Sequence, residues 1–186
     1  MDKINIFIKE FIEKYGENHR IVMRRLKKEF KLLDEMNIDY KLSVNPLRKK
    51  SLNHNNIVQI EFTYLNYHLY MFIPEHYPFE QPLLMMDKLS IDERKYRVQD
   101  GLENTKIGFL HNYISDFVID TKVDDLICIK EFVENHFVVP KNMKDNDIDP
   151  RRVYYVKFSK YFAPSVLLND AYKVMIEGIH LALGID

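Results

Sequence analysis

Apolar side chains at Ile4, Phe7, Ile8, Phe11, Ile12 and Tyr15 recur at helical spacing, and Gly16 follows as a stop. The pattern predicts an amphipathic helix over residues 3–15. A second stripe, Val22, Leu26, Phe30 and Leu33, predicts a helix over about 18–36. Arg20, Arg24, Arg25, Lys27, Lys28 and Lys31 make the rest of that helix strongly basic. Beyond it the period falls to 2. The runs from Tyr40 to Val44, Ile57 to Tyr64 and Tyr67 to Ile73 read as strands, and the short Leu65-Asn66 link makes the last two a hairpin. Tyr77-Pro78-Phe79-Glu80-Gln81-Pro82 leads into a fourth candidate strand, Leu83 to Met86. Helices followed by an antiparallel meander are an α+β opening.

The second half has weaker patterning. Residues 87–122 read as loop with short strands near 107–110 and 113–119. Residues 124–137 fit either an irregular stretch or an amphipathic helix. In the helical reading Asp124 is the N-cap, and Leu126, Ile127, Ile129, Phe132, Val133 and Phe137 are apolar. Residues 140–150, polar and bounded by Pro140 and Pro150, read as a loop, and 153–158 as a strand. Pro164 suits the first turn of a final helix over about 165–183, offering Val166, Leu167, Ala171, Val174, Ile179 and Leu183 to the core. No internal repeat or low-complexity tract interrupts the chain.

Composition narrows the class. The chain has 186 residues, 46% hydrophobic and 30% charged, which suits one globular domain with extensions. A formal net charge of −1 gives no electrostatic case for a nucleic-acid partner. The single cysteine, Cys128, excludes an intramolecular disulfide and fits a reducing compartment, cytoplasmic or nuclear. No apolar run approaches the ~18 residues that span a bilayer, and Met1-Asp2-Lys3-Ile4 lacks the order of a signal peptide, so no membrane partner is expected. The 7 histidines show no metal-binding spacing, and neither a Gly-rich phosphate loop nor a GxSxG elbow is present. No metal and no cofactor are expected.

Three segments, in order, resemble the ubiquitin-conjugating fold. Arg24-Arg25-Leu26-Lys27-Lys28-Glu29-Phe30-Lys31-Leu32-Leu33 is similar to the basic first helix of that family. The meander leading into Tyr77-Pro78-Phe79-Glu80-Gln81-Pro82 resembles the family's YPxxPP. Gln81 replaces one proline, which leaves the looser YPxxxP of the related RWD domains. Phe162-Ala163-Pro164 resembles the family's Trp-x-Pro before a late helix. The resemblance implies an α+β, UBC-like domain over 18–186 with an insertion at about 135–160. It implies an N-terminal helix, an antiparallel sheet of about four strands and a C-terminal helix packed on it. Residues 1–17 are then an amphipathic extension.

The resemblance also implies a chemistry. Active members carry a His-Pro-Asn tripeptide and, after it, a cysteine that accepts ubiquitin as a thioester and passes it to lysine. Leu110-His111-Asn112 is similar to that tripeptide without its proline, and Leu126-Ile127-Cys128-Ile129 is similar to the cysteine segment. In that register Cys128 is the nucleophile, Asn112 the oxyanion donor, and His111 holds the loop. The implied partners are ubiquitin or a ubiquitin-like protein, with an activating enzyme or ligase. The first helix would dock the activating enzyme through Arg20, Arg24, Arg25, Lys27 and Lys28. The rival register makes Cys128 an ordinary helix residue, with Gly108 and Phe109 near the catalytic position. The chain is then a non-catalytic UBC- or RWD-like module that binds ubiquitin, another conjugating enzyme or a complex partner, or a structural protein that reuses the fold.

Overall fold

The computed structural model describes residues 2–47, 55–93, 126–160 and 167–185. Helix α1 (Lys3–Tyr15) begins where the Asp2 carboxylate accepts the Ile4 N–H, and ends at Gly16 with φ 63°. It buries Ile4, Phe7 and Phe11. Helix α2 (Arg20–Glu35) buries Val22, Leu26, Glu29, Phe30 and Leu33. Four strands follow as β1 (Lys41–Ser43), β2 (Asn56–Tyr64), β3 (Tyr67–Pro74) and β4 (Leu83–Asp87). A fifth, β5 (Leu126–Cys128), runs directly into α3 (Ile129–His136), which precedes α4 (Pro150–Lys160) and α5 (Leu168–Leu183).

The five strands form one antiparallel sheet in the order β1-β2-β3-β4-β5. Alternation along β3 assigns its two faces. Leu69, Met71 and Ile73 join the main core with the buried sides of the helices, while Tyr70 and Phe72 are buried with Leu47, Leu83, Met85 and Leu126. Gly178 of α5 is a point of close approach. A Cβ there would lie 2.5 Å from Tyr154 Oη and 2.7 Å from Ile129 Cγ2.

Helix α1 is tied to the segment around β1, the strand at the sheet's edge. Lys3 Nζ donates to the Tyr40 carbonyl at 2.8 Å, and Lys14 Nζ to the Val44 carbonyl at 2.6 Å. Tyr15 Oη donates to the Ile57 carbonyl at 3.1 Å. Ile4, Phe7 and Phe11 of α1 thus join the main core, and its lysines bond to carbonyls on either side of β1.

Several expectations change. The sheet has five strands among the described residues rather than about four. The expected strand over 153–158 is helical. Tyr154 and Phe158, four residues apart, turn toward the core, and Val153 and Val156 are exposed. The β-branched composition there misled, because Pro150 opens a helix and the Asp149 carboxylate accepts the Arg151 N–H at 2.9 Å. The helix expected from Asp124 starts at Ile129, after a short strand. In α5 the buried set is Leu168, Ala171, Met175, Gly178, Ile179 and Ala182, whereas Leu183 is exposed. The expected short strands at 107–110 and 113–119, the segment 162–164, Val166, Gly108, Phe109 and Asp124 lie outside the described residues.

Two substitutions test this packing. Leu65 and Asn66, which close the β2–β3 hairpin, have φ of 45° and 70°. Leu65 is exposed there and adopts a backbone that Asn tolerates better. Leu65→Asn should raise stability by about 0.5 kcal/mol, read from the urea midpoint. Gly178→Ala should lower it by ~1–3 kcal/mol, because Tyr154 and Ile129 must move apart. An unchanged midpoint for the alanine variant would contradict the close packing of α3, α4 and α5.

Candidate functional site

The side of α2 opposite its apolar stripe carries the basic residues. Arg20, Arg24, Lys27, Lys28 and Lys31 are all exposed, beside Ile21, which is 73% exposed. Arg20 pairs with Glu17 at 3.0 Å. Arg24, Lys27, Lys28 and Lys31 make no ion pair with the described residues. Arg25 differs from the rest. Its side chain is 32% exposed, and its Nε lies 3.5 Å from Glu29 Oε2. Of the residues expected to bind a partner, Arg20, Arg24, Lys27 and Lys28 therefore form one solvent-facing ridge, and Arg25 turns partly inward.

Glu29 occupies a position in the apolar stripe and is 2% exposed. Three elements supply its partners. Tyr77 Oη donates to Oε2 at 2.5 Å, the Leu168 N–H at the start of α5 donates to Oε1 at 3.0 Å, and Arg25 approaches from the same helix. Burial raises the Glu29 carboxyl above its ordinary range, and the hydrogen bonds from Tyr77 and Leu168 and the nearby charge of Arg25 oppose that rise. Tyr77 is itself buried, and its peptide bond to Pro78 is cis. The Tyr77 hydroxyl thus ties the turn between β3 and β4 to the inner side of α2.

Cys128 lies elsewhere, at the junction of β5 and α3. It pairs with Met85 in the sheet and is half-buried. As the N-cap of α3, its Sγ accepts the Glu131 N–H at 3.4 Å. Cys128 therefore ends a strand and caps the helix that follows it. His111 and Asn112, its proposed partners, lie outside the described residues.

A surface network holds α3 to α4. Arg151 binds Asp149 through Nε and Nη2, and Glu134 through Nη1 at 3.2 Å, while Tyr155 Oη donates to Glu134. The Arg151 guanidinium holds the Asp149 carboxyl below its usual value. Burial, then the bond to Glu134, pushes Tyr155 up to about 12. Among the described residues, no group of three or more His, Cys, Asp or Glu side chains could hold a metal ion, and no helix is long and apolar enough to cross a membrane.

The chain matches no protein-family profile, no curated protein and no solved structure. The established class is therefore the architecture itself, an α+β protein whose described residues form a five-stranded open antiparallel sheet.

Glu29 is a site residue to which the sequence patterns assign no role. Its signal was a carboxylate inside a helical apolar stripe, at 29 between Leu26 and Phe30. Its raised value has a defined sign. The folded state favours the neutral acid, so the stability that Glu29 contributes is complete below the unfolded carboxyl value and is lost as pH rises through the folded one. The urea midpoint of the native protein, relative to Glu29→Gln, should rise as pH is lowered from about 8 toward the ordinary carboxylate range near ~4.3. A difference that stays flat with pH would show an unshifted carboxyl.

Proposed function

We propose that the chain is a UBC-like module of the non-catalytic, RWD-related kind, which docks an acidic surface on a protein partner through α2. The observation that carries this reading is the exposed ridge of Arg24, Lys27, Lys28 and Lys31, unneutralised by the described residues and backed by a helix anchored at Glu29. Ridge charges that make no ion pair with the described residues are available to steer and orient a negatively charged partner. The resemblance suggests ubiquitin or a conjugating enzyme carrying it. The order of a basic helix, a meander and a Tyr-Pro turn supports a UBC-like arrangement.

Thioester transfer is the second reading, favoured by one observation. Cys128 is partly open and stands at a helix N-terminus, a setting used by reactive thiols. Against it, Sγ already serves as the cap of α3. Incubation with ATP, activating enzyme and ubiquitin, followed by a gel without reductant, separates the two readings. The docking module gives no Cys128-dependent band. A reductant-sensitive band one ubiquitin heavier, lost in Cys128→Ala, would establish thioester transfer instead. Titrating labelled protein with a ubiquitin-charged conjugating enzyme should shift α2 amide signals. Arg24→Glu with Lys28→Glu should weaken that binding about tenfold or more. Unmoved α2 signals would remove the docking proposal.

A further inference from the structure

The ridge and the buried carboxylate belong to one helix and lie on opposite sides of it. Arg25 joins them, with its Nε against Glu29 and its side chain still one-third open. Glu29 is the negative charge directly behind the ridge. Among the described residues, the groups that face it are Arg25 from α2, Tyr77 Oη from the β3–β4 turn and the Leu168 N–H from α5. The two hydrogen bonds and the ion pair favour the ionised form, but burial, the largest effect, favours the neutral one and raises the carboxyl above its ordinary range.

We propose that Glu29 is a proton-operated counter-charge to the α2 ridge, so that proton uptake at this buried carboxyl strengthens the docking of an acidic partner. This rests on the reading of the ridge as a docking surface. Protonation removes one negative charge from behind Arg24, Arg25 and Lys28 and leaves Arg25 without its ion-pair partner. The field on the outer side becomes more positive. By reciprocity, a bound acidic partner makes the proton harder to lose. The coupling passes through protein rather than bulk water, so salt screens it less than it screens the ridge charges themselves.

The probe is a poly-aspartate peptide, used from about pH 8 down to about pH 5; its own partial loss of charge toward the lower end is common to all the proteins compared and cancels between them. At the upper end, Glu29→Gln should bind it roughly two- to fivefold tighter than the native protein. The gap should close as pH falls and the native carboxyl takes up its proton. His19, beside the ridge, is common to both proteins and cancels in the comparison. Tyr77→Phe removes a bond that favours the ionised form, so its affinity should rise at a higher pH than in the native protein. Circular dichroism at each pH confirms that both variants are folded. Equal affinities for the native and Gln proteins at every pH, or a gap that never closes, would overturn the counter-charge. If Arg24→Glu with Lys28→Glu leaves peptide binding intact, the ridge reading itself has failed. If that variant loses binding while the native and Gln profiles coincide, only the proton linkage has failed.

Discussion

The carboxylate of Glu29 is the constraint on which the rest of the arrangement depends. It is almost fully buried, and one charge-bearing group there receives a hydroxyl from the β3–β4 turn and a backbone N–H from the start of α5. An unpaired charge in such a place would be very costly, so its partners must be present together. The helix, the turn and the final helix are thereby fixed to one point, although Glu29 and Leu168 stand 139 positions apart in the chain. The same contact explains the Tyr-Pro turn. Pro78 and Pro82 restrict the backbone on either side of it, and Tyr77 spends its hydroxyl on α2.

Around that point the molecule separates structural charge from presented charge. Lys3 and Lys14 are used internally, on carbonyls flanking the edge strand β1. Arg151 clamps Asp149 and Glu134 and joins α3 to α4. Arg24, Lys27, Lys28 and Lys31 of α2 make no ion pair with the described residues. A nearly neutral chain can thus present a strongly positive surface, which net charge alone conceals. The cysteine is placed by similar local demands. Its Sγ meets an N–H that the first turn of α3 would otherwise leave without a helical partner.

Elements with strong periodicity were legible in the sequence. Helices over 3–15 and about 18–36, the β2–β3 hairpin and the strand after Pro82 all appear, because each buries one face at its own period. The segment 153–158 was misread because Val153 and Val156 favour strands in isolation, while the buried contacts of Tyr154 and Phe158 decide for helix. The boundary at Cys128 was legible only as two alternatives. A strand running directly into a helix shows neither period for long enough to separate them.

By itself the sequence determined the elements of the first half, the amphipathic faces of α1 and α2, and the basic character of α2. These follow from spacing along a local backbone. Only the tertiary structure decided that Glu29 is a buried junction, that Arg25 turns toward it while Arg24 and Lys28 face solvent, and that α1 bonds to carbonyls on either side of β1. It also placed Gly178 against Tyr154 and Ile129. Each of these depends on which distant groups come within hydrogen-bond or van der Waals reach, and long-range proximity of that kind leaves no periodic trace in one chain's sequence.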